Sequence, residues 1–165
     1  MKLRLSLTAV AIALSALTFF ASPALAQDQE SSRAGVVVDF GDGKVEQDCV
    51  SFSSSDYNGE ELLQDAGFEL DTMSDANGTN ICSIDELGCD FPNQKCFCSC
   101  EGSGTCTYWV YWILTQNPED GTWEWKSSDL LANNQEVTNN DVNGWSWGAA
   151  NKPPVVTIDQ VCAGS

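Results

Sequence analysis

The residues able to do chemistry in this 165-residue chain are eight Cys, six Trp and 24 Asp or Glu; there is no His. Without imidazole there is no Ser-His-Asp or Cys-His nucleophile, no His-liganded zinc, and no axial base for a haem or cobalt centre. Catalysis would have to rest on carboxylates or on a bound metal. Glu60/Glu61 and Glu119/Asp120 are neighbours along the chain, whereas a glycosidase sets two carboxylates on opposite sides of a cleft; here they read as solvated acids. Asn139-Asn140-Asp141-Val142-Asn143-Gly144 copies the first half of an EF-hand loop. Its first position is Asn, however, and Ala150 stands where a bidentate Glu belongs. A solvated turn is the expectation. Gly102-x-Gly104 is too little for a phosphate-binding loop. The chain reads as a non-enzyme with no catalytic residues, no metal and no obligatory cofactor.

The cysteines are Cys49, Cys82, Cys89, Cys96, Cys98, Cys100, Cys106 and Cys162. An even number in an exported chain points to disulfides, with roughly a hundred possible connectivities. In Cys96-Phe97-Cys98-Ser99-Cys100, residues two apart on extended chain lie near the reach limit of a bridge. These three are expected to pair outside the knot, with Cys82, Cys89 and Cys106 as candidates. Cys49 and Cys162 are then left as a long-range staple. The rival is a thiolate zinc site built from the four Cys between 89 and 100.

All six Trp fall between Trp109 and Trp147. Trp123/Trp125 and Trp145/Trp147 are i, i+2 pairs, so on a strand each pair shares one face. In the run from Tyr108 to Leu114 both faces are apolar. That strand is either central and covered on both sides, or it offers one face as a binding surface. Aromatics of this size fill a core, yet six together, with Ser146 and Gly beside Trp145 and Trp147, suggest an exposed rim. An aromatic platform edged with Asn and Asp suits a bulky, uncharged or cationic organic ligand.

These residues need a frame. Lys2 and Arg4, the apolar run Leu5–Phe20 and the small-x-small site Ala24-Leu25-Ala26 form a secretory signal peptide over 1–26. Nothing after it approaches the ~20 apolar residues of a membrane span. A soluble, secreted or periplasmic (extracytoplasmic) product without stable membrane insertion is expected. The leader holds two of the seven basic residues and no acid, so its removal takes the formal charge from −17 to −19. Such a chain repels phosphate, which argues against nucleic acid as a partner. Residues 27–34 read as a disordered polar leader, 35–150 as the domain, and 151–165 as a tail tied by Cys162. Within the domain, Val36–Phe40 and Val45–Phe52 are strands joined by an Asp-Gly hairpin turn. Asn58 or Asp56 caps a short helix ending at Gly67. Asp71–Thr79 reads as a loop containing the sequon Asn77-Gly78-Thr79. Asn80–Ile84, Tyr108–Leu114, Thr122–Lys126, Gln135–Val137 and Gly144–Gly148 are further extended pieces. The class is α+β and mostly β, with one short helix, stapled by disulfides.

This order of elements resembles the transcobalamin-like C-terminal domain family over about Val36 to Gly148. The matching parts are Val36-Val-Val-Asp-Phe40, Gly59-Glu-Glu-Leu-Leu-Gln-Asp-Ala-Gly-Phe68, Asn80-Ile-Cys-Ser-Ile84, Tyr108-Trp-Val-Tyr-Trp112, Trp123-x-Trp125 and Asp141-Val-Asn-Gly-Trp-Ser-Trp-Gly148. The last is similar to the family ending Gly-Asp-Val-x-Gly-Trp-x-Trp-Gly, with Asn140 in place of its first Gly. The resemblance implies a small β-grasp-like sheet and binding rather than catalysis. In transcobalamins this domain closes over cobalamin held by a larger helical domain, which has no counterpart in this sequence. Some bacterial relatives are associated with vitamin uptake, so an envelope uptake system or surface protein is the implied partner. The implied small-molecule ligand is cobalamin, another corrinoid or another bulky planar molecule, contacted by Tyr108, Trp109, Trp112, Trp145 and Trp147. A carbohydrate-binding module or a cell-surface interaction module is the alternative. The Cys-rich insertion is not part of the animal pattern.

Overall fold

The computed structural model describes residues 31–101, 105–148 and 151–163. The signal peptide, residues 27–30, Gly102-x-Gly104 and Ala150 lie outside the described residues. The elements in chain order are β1 (Ser32–Asp39), β2 (Val45–Phe52), helix α1 (Gly59–Asp65), β3 (Leu70–Asp75), β4 (Gly78–Ile84), β5 (Leu87–Gly88), β6 (Ser99–Glu101), β7 (Thr105–Thr107), β8 (Trp109–Gln116), β9 (Trp123–Ser127), a 3-10 turn (Ala132–Asn134), β10 (Val142–Trp147) and helix α2 (Ile158–Val161).

The apolar run Val36-Val37-Val38 marks a strand buried on both faces, the signature of a parallel pairing. β1 indeed lies parallel to β10, with Val37 opposite Gly144 and Val38 opposite Trp145. The five-stranded sheet has the order β2-β1-β10-β8-β9, and all its other pairs are antiparallel. A three-stranded sheet β3-β4-β5 and a ribbon β6-β7 complete the architecture. The mostly-β α+β class with one short helix and a disulfide staple therefore holds.

Two covers seal the main sheet. On one face Val36, Val38, Trp109 and Trp145 meet Leu62 and Leu63 of α1 and Ile84 of β4. The helix starts where the sequence places it. Asn58 Oδ1 accepts from Glu60 N (3.0 Å) and Glu61 N (3.1 Å), and Glu61 Oε2 accepts from Asn58 N (3.0 Å). This reciprocal cap contributes about 1 kcal/mol. On the other face Val37, Val110, Trp112, Leu114 and Trp125 meet Val161, with Val156 and Ile158 packed alongside. The C-terminal tail is thus a core element. It fits because Gly35 and Gly144 leave bare backbone under it: a Cβ would come within 3.1 Å of Val161 at Gly35 and within 2.9 Å of Trp125 at Gly144. Trp125 Nε1 donates to Pro154 O (3.2 Å) and Lys152 Nζ to Trp125 O (3.1 Å).

All eight cysteines pair: Cys49–Cys162, Cys82–Cys96, Cys89–Cys98 and Cys100–Cys106. The three knot residues pair outside the knot, and the long-range staple spans 113 residues. No thiol is left for a zinc site.

Two boundaries differ from the sequence reading. Strand β1 begins at Ser32, not at residue 35, because Ser32–Ala34 pair with Val50–Phe52 and Ala34 is fully buried. Arg33 also ties this end down, with Nε donating to Asn140 Oδ1 (3.0 Å) and a guanidinium nitrogen 3.1 Å from Asp159 Oδ1. Most of Asp71–Thr79 is a β-hairpin rather than a loop; its polar residues face solvent while Thr79 is buried against Ser74. Gln135–Val137 is an extended piece too short for a strand: it makes the bridge Asn58↔Glu136, with Gly59 N donating to Gln135 O (3.1 Å) and Val137 N to Tyr57 O (2.9 Å), and places Val137 in the core. No helix among the described residues is long and apolar enough to cross a membrane.

Because the tail is short, the staple must carry much of its attachment. Replacing Cys49 and Cys162 together by Ser is expected to lower unfolding free energy by about 2–5 kcal/mol. Urea titration measures the loss, and iodide quenching should rise as Trp112 and Trp125 become accessible.

Candidate functional site

The site begins at an irregularity of the main sheet. Strand β9 pairs with β8 only from Trp112 onward, where Trp112 faces Ser127. Beyond Ser127 the chain leaves the sheet and crosses over through Leu130, Leu131 and the 3-10 turn. Along Trp109–Tyr111 no strand among the described residues pairs with the outer edge of β8. The alternation of the ladder says which groups point there. Gly148 N donates to Tyr108 O (2.9 Å) on the β10 side, and Ser128 N to Tyr111 O (2.9 Å) on the outer side. Residues 109 and 111 therefore turn their main-chain groups outward, and Val110 turns its own toward β10.

A groove of about 290 Å³ opens along this edge. One wall is Tyr108–Tyr111 and the other is Thr79–Ile81 of β4; Leu130–Ala132 closes one end and Trp145 lines the interior. Phe97 stands at the mouth in an edge-to-face contact with Tyr108, ring centroids 6.1 Å apart. Phe97, Tyr108 and Leu130 are exposed at 43%, 37% and 50%. No charged side chain lines the groove. The arrangement suits an uncharged or apolar body and offers main-chain hydrogen bonds at its edge. A second hollow of about 500 Å³, formed by Met73, Phe91, Pro92 and neighbours, lies on the other side of Phe97.

Of the five aromatic residues singled out by sequence, Tyr108, Trp109 and Trp145 meet in this groove. Trp147 packs behind Trp109, centroids 5.4 Å apart. Trp112 lies on the opposite face of the sheet, beneath the tail. The rim expected at Trp145 and Trp147 is not there: Trp145 is 1% exposed, stacked on Tyr111 at 4.6 Å, and Trp147 is half-buried. The reason is that β10 is an interior strand, so its side chains are core on both faces. Three of the six indoles, those of Trp109, Trp112 and Trp125, are also committed by hydrogen bonds. Trp109 Nε1 donates to Leu87 O (2.9 Å) and Trp112 Nε1 to Ser146 Oγ (2.8 Å). Trp145 Nε1 alone is buried without a partner among the described residues.

Sequence reasoning missed Phe97, Ile81 and Leu130. Phe97 had a readable signal. It sits between Cys96 and Cys98, whose partners Cys82 and Cys89 lie on the protein body, so its backbone is pinned on both sides and its ring stands outward. Ile81 and Leu130 had none, since they are brought together only by the crossover.

Behind the groove, Tyr111 Oη donates to the buried Asn143 Oδ1. Burial first, then the charge of Asp141, holds the Tyr111 phenol above its ordinary value; burial and the bond to Asp65 do the same for Tyr57. A raised folded-state value stabilises fully below the unfolded value near ~10 and is lost as pH climbs past it. Unfolding free energy is therefore expected to fall above pH ~10, approaching about 1.4 kcal/mol per pH unit from Tyr111. Tyr111→Phe should be less stable at neutral pH, since Asn143 loses its donor, but should show a shallower alkaline slope. Urea titrations at several pH values measure both.

No model of a known protein family matches this chain, and comparison with curated proteins finds no relative.

Proposed function

We propose that this chain is an exported, non-catalytic binding domain whose groove takes a bulky, planar, uncharged small molecule, with a corrinoid as the first candidate. The observation that carries the reading is the meeting of Tyr108, Trp109 and Trp145 with Phe97 around one uncharged groove. Disulfides in all four cysteine pairs support an oxidising, extracytoplasmic location.

The resemblance to the transcobalamin-like domains gains physical support at its closing pattern. Asn140 stands where the family has Gly and adopts φ +71, a conformation that Gly takes freely and Asn tolerates best among other residues. Gly148 has φ +96, and Gly144 lies under Trp125 with no room for a side chain. The pattern thus matches positions where backbone, not side chain, is demanded. The hairpin β1-β2, the helix and a parallel last strand beside the first also fit a β-grasp-like arrangement.

At about 290 Å³ the groove is at the lower end of small-molecule sites, ~300–1,000 Å³. A corrinoid would enter by an edge and lie across Phe97, Tyr108 and Leu130, leaving its other face to solvent or to a partner protein of the envelope. With no His in the chain, contacts go to the ring and its side chains rather than to cobalt.

Equilibrium dialysis of the oxidised protein against cobalamin tests this directly, because the ligand is coloured. Saturable retention is expected, weakened about tenfold by Tyr108→Ala or Phe97→Ala. Trp112→Phe, on the other face, should leave retention unchanged. No retention at high micromolar cobalamin removes the corrinoid, and a glycan panel then tests sugar stacking on the same rim.

A further inference from the structure

We infer that the open edge of β8 is a docking site for one extended strand of a partner protein, apolar at alternate positions and basic at its ends. The inference rests on the groove being a binding site, as proposed above, and goes beyond that reading by assigning its β8 edge to a peptide backbone.

The edge itself carries the argument. By the alternation established above, Trp109 directs its N–H and C=O, and Tyr111 its N–H, into the groove; among the described residues, Tyr111 O is taken by Ser128 N at 2.9 Å and the other three groups have no main-chain partner. The facing wall is also a strand edge. Ser74 and Thr79 are opposed with their hydroxyls 3.0 Å apart, which marks a pair that exchanges no main-chain bonds. Thr79 and Ile81 therefore turn their main-chain groups away from β3 and toward the groove. Thr79 N is taken by Asn133 Oδ1 at 2.7 Å, and Ile81 remains. Outward-turned donors and acceptors alternating along the β8 edge are what an added extended chain can pair with.

The surroundings agree. Soluble proteins guard free strand edges with charge, proline or bulges. This molecule does so on β2, where Glu46 and Asp48 lie along the outer strand. Beside β8 it does the opposite: the groove holds no charge, and Phe97, Tyr108 and Leu130 stand exposed at its mouth. Alternate apolar side chains of an added strand would meet these residues. The formal charge of −17, with Asp129 next to the rim, selects a partner segment with basic ends and repels acidic ones.

The test uses a pool of acetylated peptides of roughly seven residues, β-branched or aromatic at inner positions and Lys at both ends, presented to the oxidised protein. Retained peptides are expected, and N-methylation of alternate residues should weaken binding about tenfold or more in at least one register, because it deletes edge hydrogen bonds and spares side chains. Amide exchange at Trp109 and Tyr111 should slow on binding. The inference is overturned if no peptide is retained at ~100 μM, if both methylated registers bind as well as the parent, or if protection falls elsewhere, such as on β2. Cobalamin dialysis on the same preparation separates the two readings. Cobalamin retained and peptides refused removes the strand site and leaves the planar ligand; peptides retained and cobalamin refused does the reverse.

Discussion

Val36, Val37 and Val38 are all fully buried, and successive residues of a strand point to opposite faces. The central strands of this small sheet therefore have no face that can meet water, and most of the remaining chain is arranged around that demand. One face is covered by α1 together with the β3-β4-β5 sheet. The other must be covered by whatever chain is left, which is the segment after Gly148. Among the described residues that segment has Pro153, Val156, Ile158 and Val161 as apolar anchors and a helix of four residues. Contacts of that size do not offset the ordering of a terminal segment by themselves, since each fixed residue costs about 1–2 kcal/mol. The Cys49–Cys162 bond removes much of that cost by confining the tail before it folds. Gly35 and Gly144 complete the solution from the sheet side by letting the tail approach.

The same demand settles what the tryptophans are for. Trp109, Trp112, Trp125 and Trp145 are buried where β8 lies between β10 and β9 and large side chains fill both faces, whereas Trp123 on the edge strand β9 is 41% exposed. Three of the N–H groups, those of Trp109, Trp112 and Trp125, are anchored to Leu87, Ser146 and Pro154. What remains for recognition is the place where the sheet fails to continue. β9 parts from β8 at Ser127, the crossover through Leu130 leaves a gap, and the gap exposes both aromatic surface and main-chain edge.

The local and the periodic were legible in the sequence. The Val run, the Asp-Gly turn, the Asn58 cap with Glu61, the span of β2 and the i, i+2 grouping of Trp each follow from rules that act over a few residues, and the structure keeps them. The cysteine pairing was legible in outline because the knot could not close on itself. The groove was legible only in part. Tyr108 and Trp109 were marked by composition, but whether a Trp is wall or filler depends on whether its strand is interior, and that depends on β10 returning beside β1 across more than a hundred residues. Composition alone made Trp145 look like rim; a parallel partner on one side and β8 on the other made it core. Leu130 and Ile81 reach the site through a crossover that has no periodic signature. The hairpin over Asp71–Thr79 was hidden by its polar residues, since its two short strands bury little beyond Thr79 and lean on the core from outside.

The Cys-rich insertion then acquires a physical role. Among the described residues between Gly88 and Cys106, Cys89 and Cys96 are the deeply buried ones. Such a segment would sample many conformations, and an aromatic carried on it would lose, on binding, the freedom it had before. Cys82–Cys96 and Cys89–Cys98 fix the backbone immediately before and after Phe97 to β4 and its neighbour. The ring is thereby held at the mouth of the groove, against Tyr108, whether or not anything is bound. Disulfide staples usually compensate for a small core. Here two of the four bonds lie beside the groove. Their position holds the rim of the groove in place, so the rigidity of that rim depends on the disulfides beside Phe97 more than the fold of the sheet does.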